Sequence, residues 1–462
     1  MSSQINVAAA RAFKGQNALP RLPLLSDAEC WRRMPTALLG SGQPLPNWAK
    51  AAAAFAPRTA AAMLVLDLAH RTQSPLAPAL RAKMRWIVAQ ANRCNYSMNY
   101  AAFDLRQEGG EMAEFWALAA GPESWPEEER EALEFVRQLT LDAPATTDEQ
   151  FASLVARYGE KQVAAMVLLA AYGNFQDRLV MALQLPMEED GPLPPLPVWF
   201  GSDAFAFNPP TQPESDSALR EGQRVVASLT DDPEWTSPSY EALQARLEQQ
   251  RNRPTRLPIP SWEEVKAGLP PEYPTARPVA IVWTLVCLGY VPELAFPWNA
   301  SSRTFWTETL QDRVYEESLF WVQTRAIQCN YCMGHCEMLL EVAGLDQAAI
   351  AERTRRLASG DWSCFSPAEQ TAFAFARKIT STPWDVTCAD LDRLRRELGD
   401  VRAFHTLWWL CRGLYMTRIS DGFQLTLERE NVFASLFPEP QPAAVAGVLA
   451  VSSQHAGART ND

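Results

Sequence analysis

The chain has 462 residues, which is room for about two to four domains of ordinary size. With 47% hydrophobic and 21% charged residues it can fold by burial alone, without metal or disulfide staples. A net charge of −12 argues against nucleic acid or an anionic membrane as partner, because such binders concentrate Lys and Arg on one face.

The chain opens with an N-terminal extension, residues 1–20, that has no apolar core of the length a secretory signal requires. The longest apolar run, Val279 to Val291, is too short to span a bilayer, so a cytoplasmic location is the expectation. Nine cysteines are too sparse, and too odd in number, for a secreted disulfide framework.

From Arg21 onward the chain repeats itself. Arg21-Leu22-Pro23 recurs as Arg256-Leu257-Pro258, Pro35 as Pro270, Pro57 as Pro292, Trp86 as Trp321, and Cys94-Asn95-Tyr96 as Cys329-Asn330-Tyr331, always 235 positions on. Downstream the match continues with a small slip, Arg178 falling opposite Arg418. A constant offset over so long a stretch points to two copies of one fold. Copy one is assigned to residues 21–188 and copy two to residues 256–437. Between them, residues 189–255 form a segment dense in proline and acid, read as a linker with a helix around Tyr240 to Gln250. The tail, residues 438–462, has few bulky apolar residues and is expected to be disordered.

Within each copy the signals are helical. Pro126 followed by acids, and Ser366-Pro367-Ala368-Glu369 in copy two, read as helix starts. Val401 to Leu425 is apolar at helical spacing, with Arg418 and Asp421 three apart and able to pair. No strand alternation stands out. The expectation is an all-α protein of two tandem bundles, each with roughly six to eight helices.

The chemistry concentrates in Cys329-Asn330-Tyr331-Cys332-Met333-Gly334-His335-Cys336. In a helical context, residues three apart lie about 5–6 Å apart, so Cys329 and Cys332 can oxidise to each other. His335, three residues beyond Cys332, is placed to reach that sulfur and favour its thiolate, and Cys336 is a candidate accessory thiol.

An acidic residue, a helix, then C-x-x-C with a nearby histidine resembles the core motif of the alkylhydroperoxidase D type within the carboxymuconolactone decarboxylase superfamily. Here it comprises Glu317, Cys329, Cys332 and His335, with Glu317 twelve residues before Cys329. The resemblance implies that Cys332 attacks a hydroperoxide or disulfide substrate, that Cys329 resolves it, and that Glu317 and His335 relay the proton. Many family members carry the relay histidine where this chain has Cys336. No metal or organic cofactor is implied, whereas a thiol reductant is, and the sequence does not identify it. Copy one lacks the machinery, with Ser97, Tyr100 and Ala82 at the positions of Cys332, His335 and Glu317. It reads as a scaffold, and the tandem resembles a dimer made permanent; further homo-oligomerisation stays open.

Other readings remain beside this one. A CxxC is also half of many zinc sites, but no second CxxC or His pair accompanies it. A lactone decarboxylase would typically lack the cysteine pair. A non-catalytic helical scaffold or binding protein is the main alternative. Cys30, Cys287, Cys364, Cys388 and Cys411 are expected as small buried hydrophobes, and His405 as a satisfied core histidine.

Overall fold

The structure, a computed structural model, describes residues 19–205, 226, 228–269 and 278–434. The tail, Pro270, most of the N-terminal extension and the middle of the Pro-rich segment lie outside the described residues. Copy one contains α1 (Asp27–Arg33), β1 (Ala37–Leu39), α2 (Asn47–Phe55), α3 (Pro57–Thr72), α4 (Pro78–Ala91), α5 (Asn95–Gln107), α6 (Met112–Ala120), α7 (Glu127–Leu141), α8 (Asp148–Tyr158) and α9 (Glu160–Leu183). After β2 (Trp199–Phe200) come α10 (Pro233–Thr236) and α11 (Tyr240–Asn252). Copy two follows with α12 (Trp262–Gly268), α13 (Val282–Tyr290), α14 (Pro292–Glu308), α15 (Arg313–Ala326), α16 (Asn330–Val342), α17 (Gln347–Ser359), α18 (Pro367–Ser381) and α19 (Cys388–Phe423).

Among the described residues the protein is all-α apart from one two-stranded antiparallel sheet, β1 with β2, which the sequence did not lead one to expect. Among the described residues, no helix is long and apolar enough to cross a membrane. Copy one has nine helices rather than six to eight. The bounds of α1, α2, α4 and α5 recur at the 235-residue offset as α12, α13, α15 and α16. The five-residue slip falls after α6, whose counterpart α17 is longer, so that α7 matches α18 at the new offset. Gly399, at φ 76°, is the break inside α19 and stands where Gly159, at φ 79°, separates α8 from α9. Only glycine adopts that conformation without strain.

Local chemistry explains the helix ends. Ser366 accepts from Glu369 N while Glu369 reaches back to Ser366 N, a capping box that starts α18. Ser261 and Glu264 do the same for α12.

The two copies share one hydrophobic core. The C-terminal half of α19 packs along α9, and α14 packs on α3. Both α9 and this part of α19 are buried nearly all round, with mostly apolar residues and a few paired polar ones. Phe175 meets Trp298 and Trp408 edge to face, at 5.6 and 5.8 Å, and Phe55 stacks on Phe404 at 5.2 Å. Glu308 of copy two caps the start of α3 by accepting from Arg58 N and Thr59 N, both at 2.7 Å.

The repeated Arg-Leu-Pro motif proves to be a pair of reciprocal straps. Arg21 N donates to Leu183 O at 2.9 Å and Arg21 Nη2 crosses to Val386 O in copy two at 2.8 Å. Arg256 N donates to Phe423 O at 2.9 Å, and Arg256 Nη2 crosses to Thr146 O in copy one at 2.6 Å. Each crossing lands at the equivalent place in the other copy, which is the geometry of an isologous interface.

The segment read as a linker is built into the body where it is described. Trp235 Nε1 donates to Leu357 O at 3.1 Å, Arg325 Nη2 to Trp235 O at 2.6 Å, and Gln250 Nε2 to Leu425 O at 2.7 Å. Its α10 and α11 thus pack on copy two.

Arg256→Ala is expected to lower stability by about 2–3 kcal/mol in urea denaturation, because it strips charge-assisted bonds from buried carbonyls. Arg21→Ala should cost a similar amount if the straps are equivalent.

Candidate active site

The helical setting expected for the CxxC is interrupted at its first cysteine. Gln328, at φ 58°, takes a left-handed turn after α15, and Cys329 becomes the N-cap of α16 rather than a residue inside it. Cys332 then lies in the first turn of α16, where backbone N–H groups are free of helical partners. The two thiols still come together. Cys329 and Cys332 are buried free thiols close enough to act on each other electrostatically, and Cys329 Sγ lies 4.0 Å from Thr417 O. Burial, the neighbouring Cys332 and the Asp421 charge push the Cys329 thiol well above its ordinary range.

Helix α19 supplies the facing wall. Ser420 Oγ lies 3.2 Å from Cys332 Sγ and donates to Met416 O at 2.8 Å. With its proton used on Met416, the hydroxyl can only accept from the Cys332 thiol; turning it over would let it donate to a thiolate. Asp421 adjoins Cys329, and burial raises its carboxyl to about 7 against the pull of Cys329 and Arg418. Its Oδ2 has no partner. The expected Arg418–Asp421 pair is therefore not the hydrogen-bonded arrangement. Arg418 Nη2 instead donates to Thr140 O of copy one at 3.1 Å.

Glu317 is fully buried on α15, with Oε1 at 3.4 Å from Arg313 Nη1 and Oε2 unpartnered. Burial raises its carboxyl to about 7 despite the charges of Arg313 and Arg412. Its charge bears on Cys336 and on Arg412, and Cys332 bears on both of those as well, so the four groups share one neighbourhood. Cys336 is buried, and burial with the Glu317 charge pushes its thiol well up.

His335 departs from expectation. Its imidazole turns away from the thiols, and Nε2 pairs with Glu428 Oε2 at 2.7 Å. One position on a helix is a rotation of about 100°, which separates His335 from the face carrying Cys332 and Cys336. Glu428 is the residue that the sequence reading missed. Its Oε1 accepts from Tyr331 Oη at 3.0 Å and from Val282 N at 2.7 Å, at the start of α13. Gly334 makes this possible, since a Cβ there would lie 2.4 Å from Leu427. Burial would raise the Glu428 carboxyl, but His335 and the Val282 amide overcome it and hold the group below its ordinary value.

Copy one repeats the clamp without the chemistry. Tyr96 Oη donates to Glu188 Oε1 at 2.5 Å, and Asn47 N donates to the same oxygen at 2.7 Å. Tyr100, in the place of His335, stacks on Tyr96 at 5.1 Å. Cys94 faces Ser97 Oγ at 3.4 Å, and burial pushes its thiol up to about 12. Among the isolated cysteines, Cys30, Cys287 and Cys411 are buried as expected, while Cys364 is half-buried and Cys388 exposed. His405 is a core residue, with Nδ1 accepting from Leu310 N at 3.1 Å and its pKa lowered by burial to about 4.

The carboxyls make opposite contributions to stability. Glu317 is held protonated to about pH 7 in the fold but titrates near 4.5 when free, so wild-type stability falls as pH rises between those values. The advantage of Glu317→Gln over wild type in urea denaturation should therefore be larger at about pH 8 than at about pH 5. Glu428 behaves inversely, since its folded pKa is depressed; Glu428→Gln should be destabilising at neutrality, with the deficit fading as pH falls through the folded carboxylate range.

No protein-family model matches the chain. Over 121 residues it is 23% identical to the uncharacterized protein YnjA of Escherichia coli (strain K12). That alignment covers 26% of this chain and 66% of the other, just short of two thirds of its length.

Proposed function

We propose that this protein is a thiol-dependent peroxidase or related disulfide oxidoreductase, built from two tandem alkylhydroperoxidase D-like units of which only copy two turns over. The observation that carries the reading is the pair of adjacent buried thiols, Cys329 and Cys332, at the start of α16, flanked by Asp421 and by the buried acid Glu317.

In the proposed reaction, the Cys332 thiolate attacks the outer oxygen of a hydroperoxide and the O–O bond breaks. Cys332 becomes a sulfenic acid, and the departing alkoxide takes a proton, for which Glu317 is the proposed source. Cys329 passes its proton to Asp421 and attacks the Cys332 sulfur, hydroxide leaves as water with that proton, and the disulfide closes. Two equivalents of an external thiol then restore the dithiol. A disulfide substrate would be attacked by Cys332 in the same way, with a thiolate as leaving group. Ser420 serves as a positioning residue that can hydrogen-bond the thiolate. His335 is placed to orient Tyr331 and Glu428 rather than to carry the proton.

One observation favours a non-catalytic scaffold instead, because Cys332 is only 2% exposed and an oxidant must reach it through a local opening. Thiol titration with mass spectrometry, before and after one equivalent of cumene hydroperoxide, separates the two. The wild type should lose two thiols and gain a Cys329–Cys332 bridge, while Cys332→Ser gains none and Cys329→Ser stops at the sulfenic acid. Thiols that stay reduced, or a Cys332→Ser protein that behaves like wild type, would leave the scaffold.

A further inference from the structure

A pocket of about 260 Å³ opens between the two copies, lined from both sides at repeat-equivalent positions. Arg178 of α9 and Arg418 of α19, each 3% exposed, line it together. Arg178 Nη1 donates to Asn92 Oδ1 and Asn174 Oδ1, both at 2.8 Å, and Arg418 Nη2 donates to Thr140 O. These acceptors are neutral, and Nε of each arginine has no partner. Among the described residues, neither guanidinium forms an ion pair.

Two buried like charges facing one cavity are costly. Burial first, and the Arg418 charge second, lower the Arg178 pKa to about 9, and burial lowers Arg418 as well. The nearby carboxylates do not cancel them. Asp177 is held by Arg85 at 2.5 Å, Asp421 attracts Arg418 without hydrogen-bonding it, and Asp142 is an exposed residue on the rim. A pair of buried arginines with no carboxylate hydrogen-bonded to either is the arrangement an anion would complete.

We propose that this pocket binds a small organic carboxylate, its charged end between Arg178 and Arg418 and its apolar body against Ile327, Pro144 and Trp384. The apolar wall favours an organic acid over an inorganic ion, and Asp142 on the rim disfavours extra negative charge. The volume lies below the roughly 300–1,000 Å³ of drug-sized sites, which limits the ligand to a few carbons or one ring. Ile327 and Gln328 lead directly into Cys329, and Arg418 shares α19 with Asp421, so the site backs onto the resolving thiol. The inference does not depend on the dithiol being active.

The test is calorimetry and thermal denaturation of the full chain with benzoate, its neutral isostere benzamide, and inorganic phosphate. Benzoate should bind saturably and raise the melting temperature, with benzamide at least about tenfold weaker. Arg418→Gln should abolish the benzoate effect. Ser381→Trp, at an exposed position on the rim, should block it without touching the buried arginines. The proposal fails if about 10 mM benzoate gives no saturable signal, since that bounds the affinity below a useful level. It fails equally if benzamide binds as well, if Ser381→Trp binds as wild type does, or if phosphate matches benzoate.

Discussion

The burial of α9 against α19 is the constraint on which the rest of the molecule depends. Helix α9 and the C-terminal half of α19 are buried around nearly their whole circumference and carry mostly apolar residues, so neither could face water if the copies separated. The consequence is that copy one is required structurally whatever its chemistry. It holds the far side of the seam, accepts the Arg256 strap at Thr146, and takes Arg418 at Thr140. Copy one has Ser97, Tyr100 and Ala82 at the positions of Cys332, His335 and Glu317, and all three are packed into its body.

The same seam organises the candidate site. Helix α19 contributes Ser420 to Cys332 and Asp421 to Cys329, and the chain just beyond it contributes Glu428 to His335. The thiols sit on α16, but much of what controls them arrives from a helix locked to the other copy. Gly413, where a Cβ would fall 1.9 Å from Gln323 Oε1, lets α19 approach α15 closely enough for this.

The fold class and the repeat were legible because the repeated residues do structural work at equivalent places. Arg21 and Arg256 could be paired by eye, though their role as straps needed the structure. The cysteine pair was legible by spacing, but its N-cap geometry was not, since Gln328 and its counterpart Arg93 adopt left-handed conformations that their side chains do not announce. His335 was misdirected because its partner lies 93 residues away along the chain. That partner had a signal: extending the repeat past Arg178 and Arg418 aligns Gln184-Leu185 with Gln424-Leu425 and Glu188 with Glu428. Reading Arg418 with Asp421 as a pair followed helical spacing alone, and competing acceptors on other helices won. The strands were missed because two and three residues are too few to show alternation.

Fusion of the two copies changes the statistics of the seam. Two separate subunits joined by such an interface would exchange partners and come apart on dilution, whereas here association is unimolecular and its equilibrium is independent of protein concentration. A symmetric dimer must also place the same residue on both sides of its axis, so any cavity there is lined in identical pairs. The covalent tether lifts that rule. Asn92 can face Ile327 and Pro144 can face Trp384 across one pocket, giving it a polar side and an aromatic side that no pair of identical chains could provide together.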